Sequence, residues 1–220
     1  MRGPHTDHDS DVAQLSRLDA LASRALDALA PLSFTVARTP LENDAVLRMR
    51  YECVTEMGWA KPEDYPDGRE RDEHDDGATF IVAREDGSII ASARLVPAIP
   101  GELLPAEREF YAVAPPPGRP VEIGRVIIPR RYRSGRSHLL LAGLFARSWL
   151  IARELGYYRI VSMASASVID LYHGLGVTAR VLAAPKPSWG EERSLVELSA
   201  TDSSLGLLAR AAGVDARDLD

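Results

Sequence analysis

The chain has 220 residues, a formal net charge of −6, a hydrophobic fraction of 45% and one cysteine. That length suits one domain with appendages, and the hydrophobic fraction is that of an ordinary globular core. The acidic balance argues against nonspecific nucleic-acid binding. A lone cysteine excludes an internal disulfide and a cysteine metal cluster. No apolar run reaches the roughly 18 residues a membrane span needs, and the acidic, polar N-terminus has no apolar core of a secretory signal. The expectation is a soluble, cytoplasmic protein.

Residues 1–10 are polar and read as a disordered tail. Val12, Leu15, Leu18, Leu21, Leu26 and Leu29 recur at helical spacing, and Pro31 stops that helix. Phe34–Arg38 reads as a short strand. Leu41–Met57 reads as a helix with Val46, Leu47, Cys53 and Val54 on its apolar face and Gly58 as its cap. Cys53 falls in that apolar pattern, as a small core residue does. Residues 59–77 form a charged loop containing Trp59, Pro62, Pro66, Gly68, Asp72 and Asp75. A loop of that length is uncommon unless it binds something.

Thr79–Ala83 and Ile89–Val96 read as a hairpin, because Asp86-Gly87 between apolar runs is a turn signal. Residues 98–119 are rich in Pro and Gly, with a helical turn around Leu103–Tyr111. The run from Val121 to Ile128 is β-branched and apolar, as a buried strand is, yet it carries Glu122 and Arg125. Those two face opposite sides unless a bulge intervenes, and Gly124 is the natural place for one. After Pro129 comes a basic loop with Arg130, Arg131, Arg133, Gly135 and Arg136, then a long helix from His138 to Leu155. Tyr157–Met163 reads as a strand and Ala166–Leu175 as a helix. Val177–Ala183 and Ser194–Leu198 read as the last strands, with Pro185 and Pro187 between them, and Leu205–Ala212 as a final helix. The division is therefore a tail plus helix over 1–30, a main domain over 31–200, and a C-terminal helix and tail over 201–220.

A strand running into a cationic, glycine-containing loop and then a long helix is an anion-binding arrangement, since helix N-terminal N–H groups favour phosphate. With one glycine it is neither a P-loop nor a dinucleotide fingerprint. His5, His8, His74, His138 and His173 show no metal-ligand spacing, and there is no nucleophile elbow. Leu139, Leu140, Leu144, Phe145, Trp149 and Met163 form either a plain core or the wall of an acyl tunnel.

The element order resembles the GCN5-related N-acetyltransferase (GNAT) superfamily, and Tyr132-Arg-Ser-Gly135-Arg-Ser137 is a degenerate match to its donor loop. Four further stretches, in order, are similar to the acyl-homoserine lactone synthases, the autoinducer-synthesis family. They are Arg50-Tyr51 leading to Trp59, Asp72-Glu-His-Asp75, Arg94-Leu-Val-Pro97 and Glu122-Ile-Gly-Arg125. Phe110 matches an aromatic of that family, and the similarity runs from about residue 34 to 200. Val54, Gly124 and Val126 depart from its pattern, where the family has Phe, Ser and Phe.

The resemblance implies an α/β (α+β) fold, a three-layer α/β/α sandwich around a mixed, mostly antiparallel sheet. It implies transfer of a fatty acyl group from an acyl carrier protein or acyl-CoA to the amine of S-adenosylmethionine or an amino acid, with no tightly bound cofactor. Glu122 and Arg125 are then the catalytic candidates, with Glu122 as base; alternatively Glu122 is the partner of Arg94 or Arg125 in a structural ion pair. Arg50, Trp59, Asp72, Asp75, Arg94 and Phe110 are the substrate-binding candidates. Val126, Ile127, Arg131, Arg133, Gly135 and Arg136 are the acyl-donor candidates. The basic cluster, which includes Arg119, suits an acidic acyl carrier protein. An N-acyl amino acid synthase, an acetyl-CoA-dependent acetyltransferase and a non-catalytic binding module are the alternative readings.

Overall fold

The structure is a computed structural model that describes residues 5–111, 120–133, 135, 137–174, 177–199, 211 and 213, with side chains from residue 13 onward. Among the described residues, seven strands form one sheet: β1 (Ser33–Val36), β2 (Thr79–Glu85), β3 (Ser88–Pro97), β4 (Val121–Ile127), β5 (Ile160–Ser165), β6 (Thr178–Ser188) and β7 (Glu191–Ser199). Their spatial order is β1-β2-β3-β4-β5-β7-β6. Every neighbouring pair is antiparallel except β4 and β5, which are parallel.

Among the described residues, five helices cover the two faces: α1 (His5–Ala28), α2 (Pro40–Glu56), α3 (Pro105–Phe110), α4 (Ser137–Glu154) and α5 (Ala166–Gly174). Leu18 and Leu21 of α1, Leu140 and Leu144 of α4, and Tyr172 of α5 share a buried core with Ile81, Leu95, Val121 and Ile123 of the sheet. Alternate residues of the same strands face the other way. There, Phe80 and Val82 meet Val46 of α2, and Val96 meets Leu104 and Ala106 beside α3. The result is the expected three-layer α/β/α sandwich around a mixed sheet. Helix α1 is part of the main core, and Asp19 ties it to α4 by accepting from Trp149 Nε1 at 2.7 Å and Arg153 Nε at 3.3 Å. At Gly143 an added Cβ would stand 2.1 Å from the Phe34 ring, so the glycine lets α4 lie close against β1.

Local chemistry explains several boundaries. Thr39 caps α2 in a capping box: its hydroxyl accepts from Glu42 N at 3.2 Å, and Glu42 Oε2 accepts from Thr39 N at 3.1 Å. Asp86 and Gly87 both have positive φ, 49° and 78°, as the expected Asp-Gly hairpin turn needs.

Helix α1 starts at His5, so residues 5–10, read from sequence as a disordered tail, are helical. The gap expected between the last two strands is closed, because β6 continues through Pro185 and Pro187 to Ser188. It can do so because it is the edge strand, where proline's missing N–H costs no ladder bond. The C-terminal helix expected around 205–212 lies outside the described residues, apart from Ala211, which packs against the main core.

Candidate functional site

Two features of β4 create the site. The first is its pairing with β5, which is limited to Val121↔Ile160 and Glu122↔Val161. Beyond Glu122 the two parallel strands no longer pair, and a wedge opens between them. The second is a bulge. Ser92 pairs with Ile127 and Arg94 with Gly124, so three steps along β4 oppose two along β3. The bulge falls at Arg125, whose φ is +49°, an uncommon conformation for a residue with a side chain. It turns Arg125 onto the face that already holds Arg94 and Glu122. The expectation of a bulge beside Gly124 is thus met by the next residue.

On that face, three guanidiniums and three carboxylates alternate in a closed ring. Arg50 bonds Glu70 through Nε and Asp75 through Nη1, the latter at 2.8 Å. Arg94 Nη1 donates to Asp75 at 2.9 Å and to Asp72 at 2.6 Å. Arg125 donates to Asp72 at 3.0 Å and to Glu70 at 3.3 Å, which closes the circuit. Arg50, Glu70 and Arg94 are at most 1% exposed. Charges so buried persist only when paired, and here each is paired on two sides. The loop 59–77 supplies all three carboxylates and is thereby pinned to the sheet. Burial pushes the Asp72 carboxyl up, but the charge and hydrogen bond of Arg94 and the charge of Arg125 hold it below its ordinary value. Asp75 behaves alike: Arg50, the Asp72 N–H and Arg94 outweigh its burial.

Glu122 stands outside this ring. Its Oε2 accepts the Ala106 N–H of α3 at 2.7 Å, and no direct ion pair joins it to Arg94 or Arg125 among the described residues. It is 3% exposed. Burial raises its carboxyl above the ordinary glutamate range, with the Ala106 N–H, Arg94 and Arg125 opposing that rise. Its Oε1 lies beside Gly124, 3.1 Å from where a Cβ there would stand.

The wedge continues into a cavity of about 480 Å³. Gly124 to Ile128 form one wall, and Ser162 to Ser165 form the other. Ser137, His138 and Leu141 of α4 and Val168, Leu171 and Tyr172 of α5 line it further in. Val54, Met57, Trp59, Arg133, Trp189, Glu191 and Arg193 complete the lining. Most of this wall is apolar. Tyr172 is buried, and burial pushes its phenol up to about 12, so it stays neutral.

The tip of the β6–β7 hairpin reaches over this cavity. Trp189, at φ +54°, lies with its ring 4.2 Å from the Arg125 guanidinium carbon. Gly190 is in contact with the Trp59 ring, where an added Cβ would stand 3.2 Å away, and Arg193 stacks on that ring at 4.9 Å. Such geometry is favourable cation–π contact.

Of the residues picked out from sequence, Arg50, Asp72, Asp75, Arg94 and Arg125 come together in the ring, and Trp59, Arg125, Val126, Ile127 and Arg133 line the cavity. Phe110 packs instead near Leu104 and Val161, with Lys186 Nζ 5.4 Å from its ring. Arg131 is exposed and stacks on Tyr132 at 5.1 Å. Gly135 is exposed, with φ +74°. Arg136 and Arg119 lie outside the described residues. Of the six residues weighed as tunnel wall or core, only Met163 lines the cavity; Leu140, Leu144 and Trp149 are core, with Leu139 and Phe145 against it. Cys53 is 3% exposed and its thiol is pushed up by burial, as a core cysteine is. Sequence reasoning missed Glu70, Trp189 and Arg193. Glu70 sits in a charge run with nothing to single it out, whereas Trp189-Gly190 between two strands was a readable turn signal.

Residues 49–143 match the family model for the acetyltransferase (GNAT) domain. The chain has the GNAT acyltransferase fold. Solved structures with this GNAT fold include a CoA-dependent acyl-homoserine lactone synthase, BjaI, bound to SAM and isopentyl-CoA. It is 20% identical, with a TM-score of 0.61 over 78% of this chain and 82% of that one. TofI, in a ternary complex with an inhibitor and MTA, is 20% identical with a TM-score of 0.62 over 84% and 98%. FeeM, an N-acyl amino acid synthase from uncultured soil microbes, is 17% identical with a TM-score of 0.57 over 77% and 90%. No curated protein matches the sequence. At these identities the likeness is one of fold.

Proposed function

We propose that the chain is an N-acyltransferase. It moves a fatty acyl group from a phosphopantetheine thioester, carried by an acyl carrier protein or by CoA, to the amine of S-adenosylmethionine or an amino acid. The observation that carries this reading is the largely apolar wedge between β4 and β5, with Arg125 on its wall and Glu122 buried behind Gly124. The family-model match, the SAM and isopentyl-CoA bound to BjaI and the N-acyl amino acid synthase activity named for FeeM support it.

The splayed β4 and β5 have backbone groups free to hold an extended pantetheine arm, and the apolar lining receives the acyl chain. Glu122, with its raised pKa, takes the proton from the acceptor ammonium, directly or through water. The freed amine attacks the thioester carbonyl. The C–N bond forms, the C–S bond breaks and the thiol leaves. Arg125, a cation on the cavity wall, stabilises the oxyanion of that step. The other five charges of the ring take no part in the reaction. They hold Arg125 and the loop 59–77 in place, and Trp59 on that loop faces the acceptor.

The basic stretch Arg130–Arg133 offers an acidic carrier protein a docking edge. Incubation of the purified chain with acyl-carrier-protein or acyl-CoA donors and either acceptor, read by mass spectrometry, tests the reading. An amide product is expected, with loss of activity in Glu122→Gln and Arg94→Ala.

A further inference from the structure

The cavity holds a cation that the acyl-transfer scheme does not use. Arg193 projects from β7, paired across to Ser165 on β5, and lines the cavity. Its guanidinium lies on the Trp59 ring at 4.9 Å. Its Nε is buried and has no hydrogen-bond partner among the described residues. Its nearest carboxylate, Glu191, stands 3.6 Å from Nη2, beyond ordinary hydrogen-bond length. Arg125 is close enough for the two like charges to repel one another. Arg125 is tied down by Glu70 and Asp72, whereas among the described residues Arg193 has only the longer Glu191 contact. Arg193 is half-buried, and a buried N–H left unpaired, as its Nε is, is costly. Two such cations at one cavity, one of them unsatisfied, make a subsite for an anion.

We propose that Arg193 binds the carboxylate of the acceptor and so makes the site selective for amines that carry one. This deepens the acyl-transfer reading and rests on it. The planar fork of arginine takes a carboxylate through two parallel N–H groups, one of them the unpaired Nε. Trp59 braces the guanidinium from one side, so the fork is preorganised. Bound in this way, the acceptor lies between Trp59 and the Arg125 edge of the wedge. Arg193 is a specificity residue and takes no part in the proton or acyl transfer.

The test compares acceptors that differ only in the carboxylate: S-adenosylmethionine against its decarboxylated form, and amino acids against their carboxamides. A charge-assisted pair of this kind is worth about 10- to 100-fold in kcat/KM. Wild type is expected to prefer the carboxylate form by that factor. Arg193→Ala should lose the preference, mainly through KM, and Arg193→Lys should restore part of it. A preference that survives in Arg193→Ala, or is absent in wild type, overturns the proposal. So does a raised KM for the donor with acceptor selectivity intact, because the anion is then the donor's phosphate.

Binding of the same acceptor pairs without donor, followed by tryptophan fluorescence, keeps the subsite separate from the chemistry. Carboxylate-selective binding that Arg193→Ala abolishes supports the subsite even where no acyl transfer occurs, and in that case only the transferase reading fails. Equal binding of both forms by the folded wild-type chain overturns the subsite.

Discussion

Gly124 leaves room for Glu122: a Cβ at position 124 would stand 3.1 Å from Glu122 Oε1. That contact is tighter than carbon and oxygen normally allow. A side chain at 124 therefore has to displace the carboxylate that the Ala106 N–H holds from its other oxygen. Gly124→Ala should lower kcat by about 10-fold, the cost of a small misplacement of a reacting group. Its stability should change by less than about 1 kcal/mol, because Gly124 has an ordinary strand backbone and alanine suits a strand slightly better. Steady-state kinetics beside chemical denaturation check the split. An unchanged kcat removes Glu122 from the reaction.

The raised pKa of Glu122 sets the pH profile. Its cause is burial, so the carboxyl is still protonated somewhat above the ordinary glutamate value of about 4.3. As a base it must lose that proton. The acid limb of kcat/KM should therefore turn at a higher pH than an exposed glutamate gives, and Glu122→Gln should remove that limb with most of the activity. A profile flat through the acid range contradicts the role.

The charge ring predicts a large stability effect from a single truncation. Arg94 is 1% exposed and bridges Asp72 and Asp75 through one nitrogen. Arg94→Ala leaves both carboxylates short of their shared partner, and removing one member of a buried ion pair costs about 3–5 kcal/mol. Urea denaturation measures it. A loss under about 1 kcal/mol shows that the ring is solvated like a surface pair.

The same ring governs acid stability, with a sign that can be worked out. Asp72 and Asp75 have folded pKa values below their unfolded ones, so their contribution is present above about pH 3.9 and is lost as pH falls through the lower folded values. Glu122 is the opposite case, since its folded pKa is raised. It binds its proton more tightly in the folded chain, so its contribution declines as pH rises from about 4.3 through the folded value. Glu122→Gln should flatten the second slope and leave the acid collapse, whereas Asp72→Asn with Asp75→Asn should blunt the first. Denaturation midpoints across pH 2–7 separate the two.

Trp189 carries a positive φ and a cation–π contact, and the two oppose each other. The backbone strain is of the order of 1–2 kcal/mol and the contact of similar size. Trp189→Gly should therefore shift stability by no more than about 1 kcal/mol while raising the acceptor KM. Trp189→Ala keeps the strain and should be the less stable of the two.

Most of this fold could be read from the chain because its signals are local. Asp86-Gly87 announces the hairpin, and the apolar run at Val121–Ile127 announces a buried strand. Arg50, Asp72, Asp75, Arg94 and Arg125 stand in the stretches that resemble the acyl-homoserine lactone synthases, and the fold brings them within hydrogen-bond reach of one another. What escaped depends on pairing across distance. Pro185 and Pro187 argue against a strand until β6 is known to be an edge. Glu70 looks like one more surface charge until Arg50 and Arg125 close on it. Trp189 and Arg193 acquire meaning only when the hairpin tip lies over the wedge.

The most direct test of the central claim is mass spectrometry of products made by the purified chain from acyl thioesters with S-adenosylmethionine or amino acids. The account predicts an N-acylated product whose amide bond forms with wild type and not with Glu122→Gln, a lactone-ring fragment appearing where the acceptor cyclises. A folded chain that yields no amide with any donor and acceptor, or a Glu122→Gln variant as active as wild type, contradicts it.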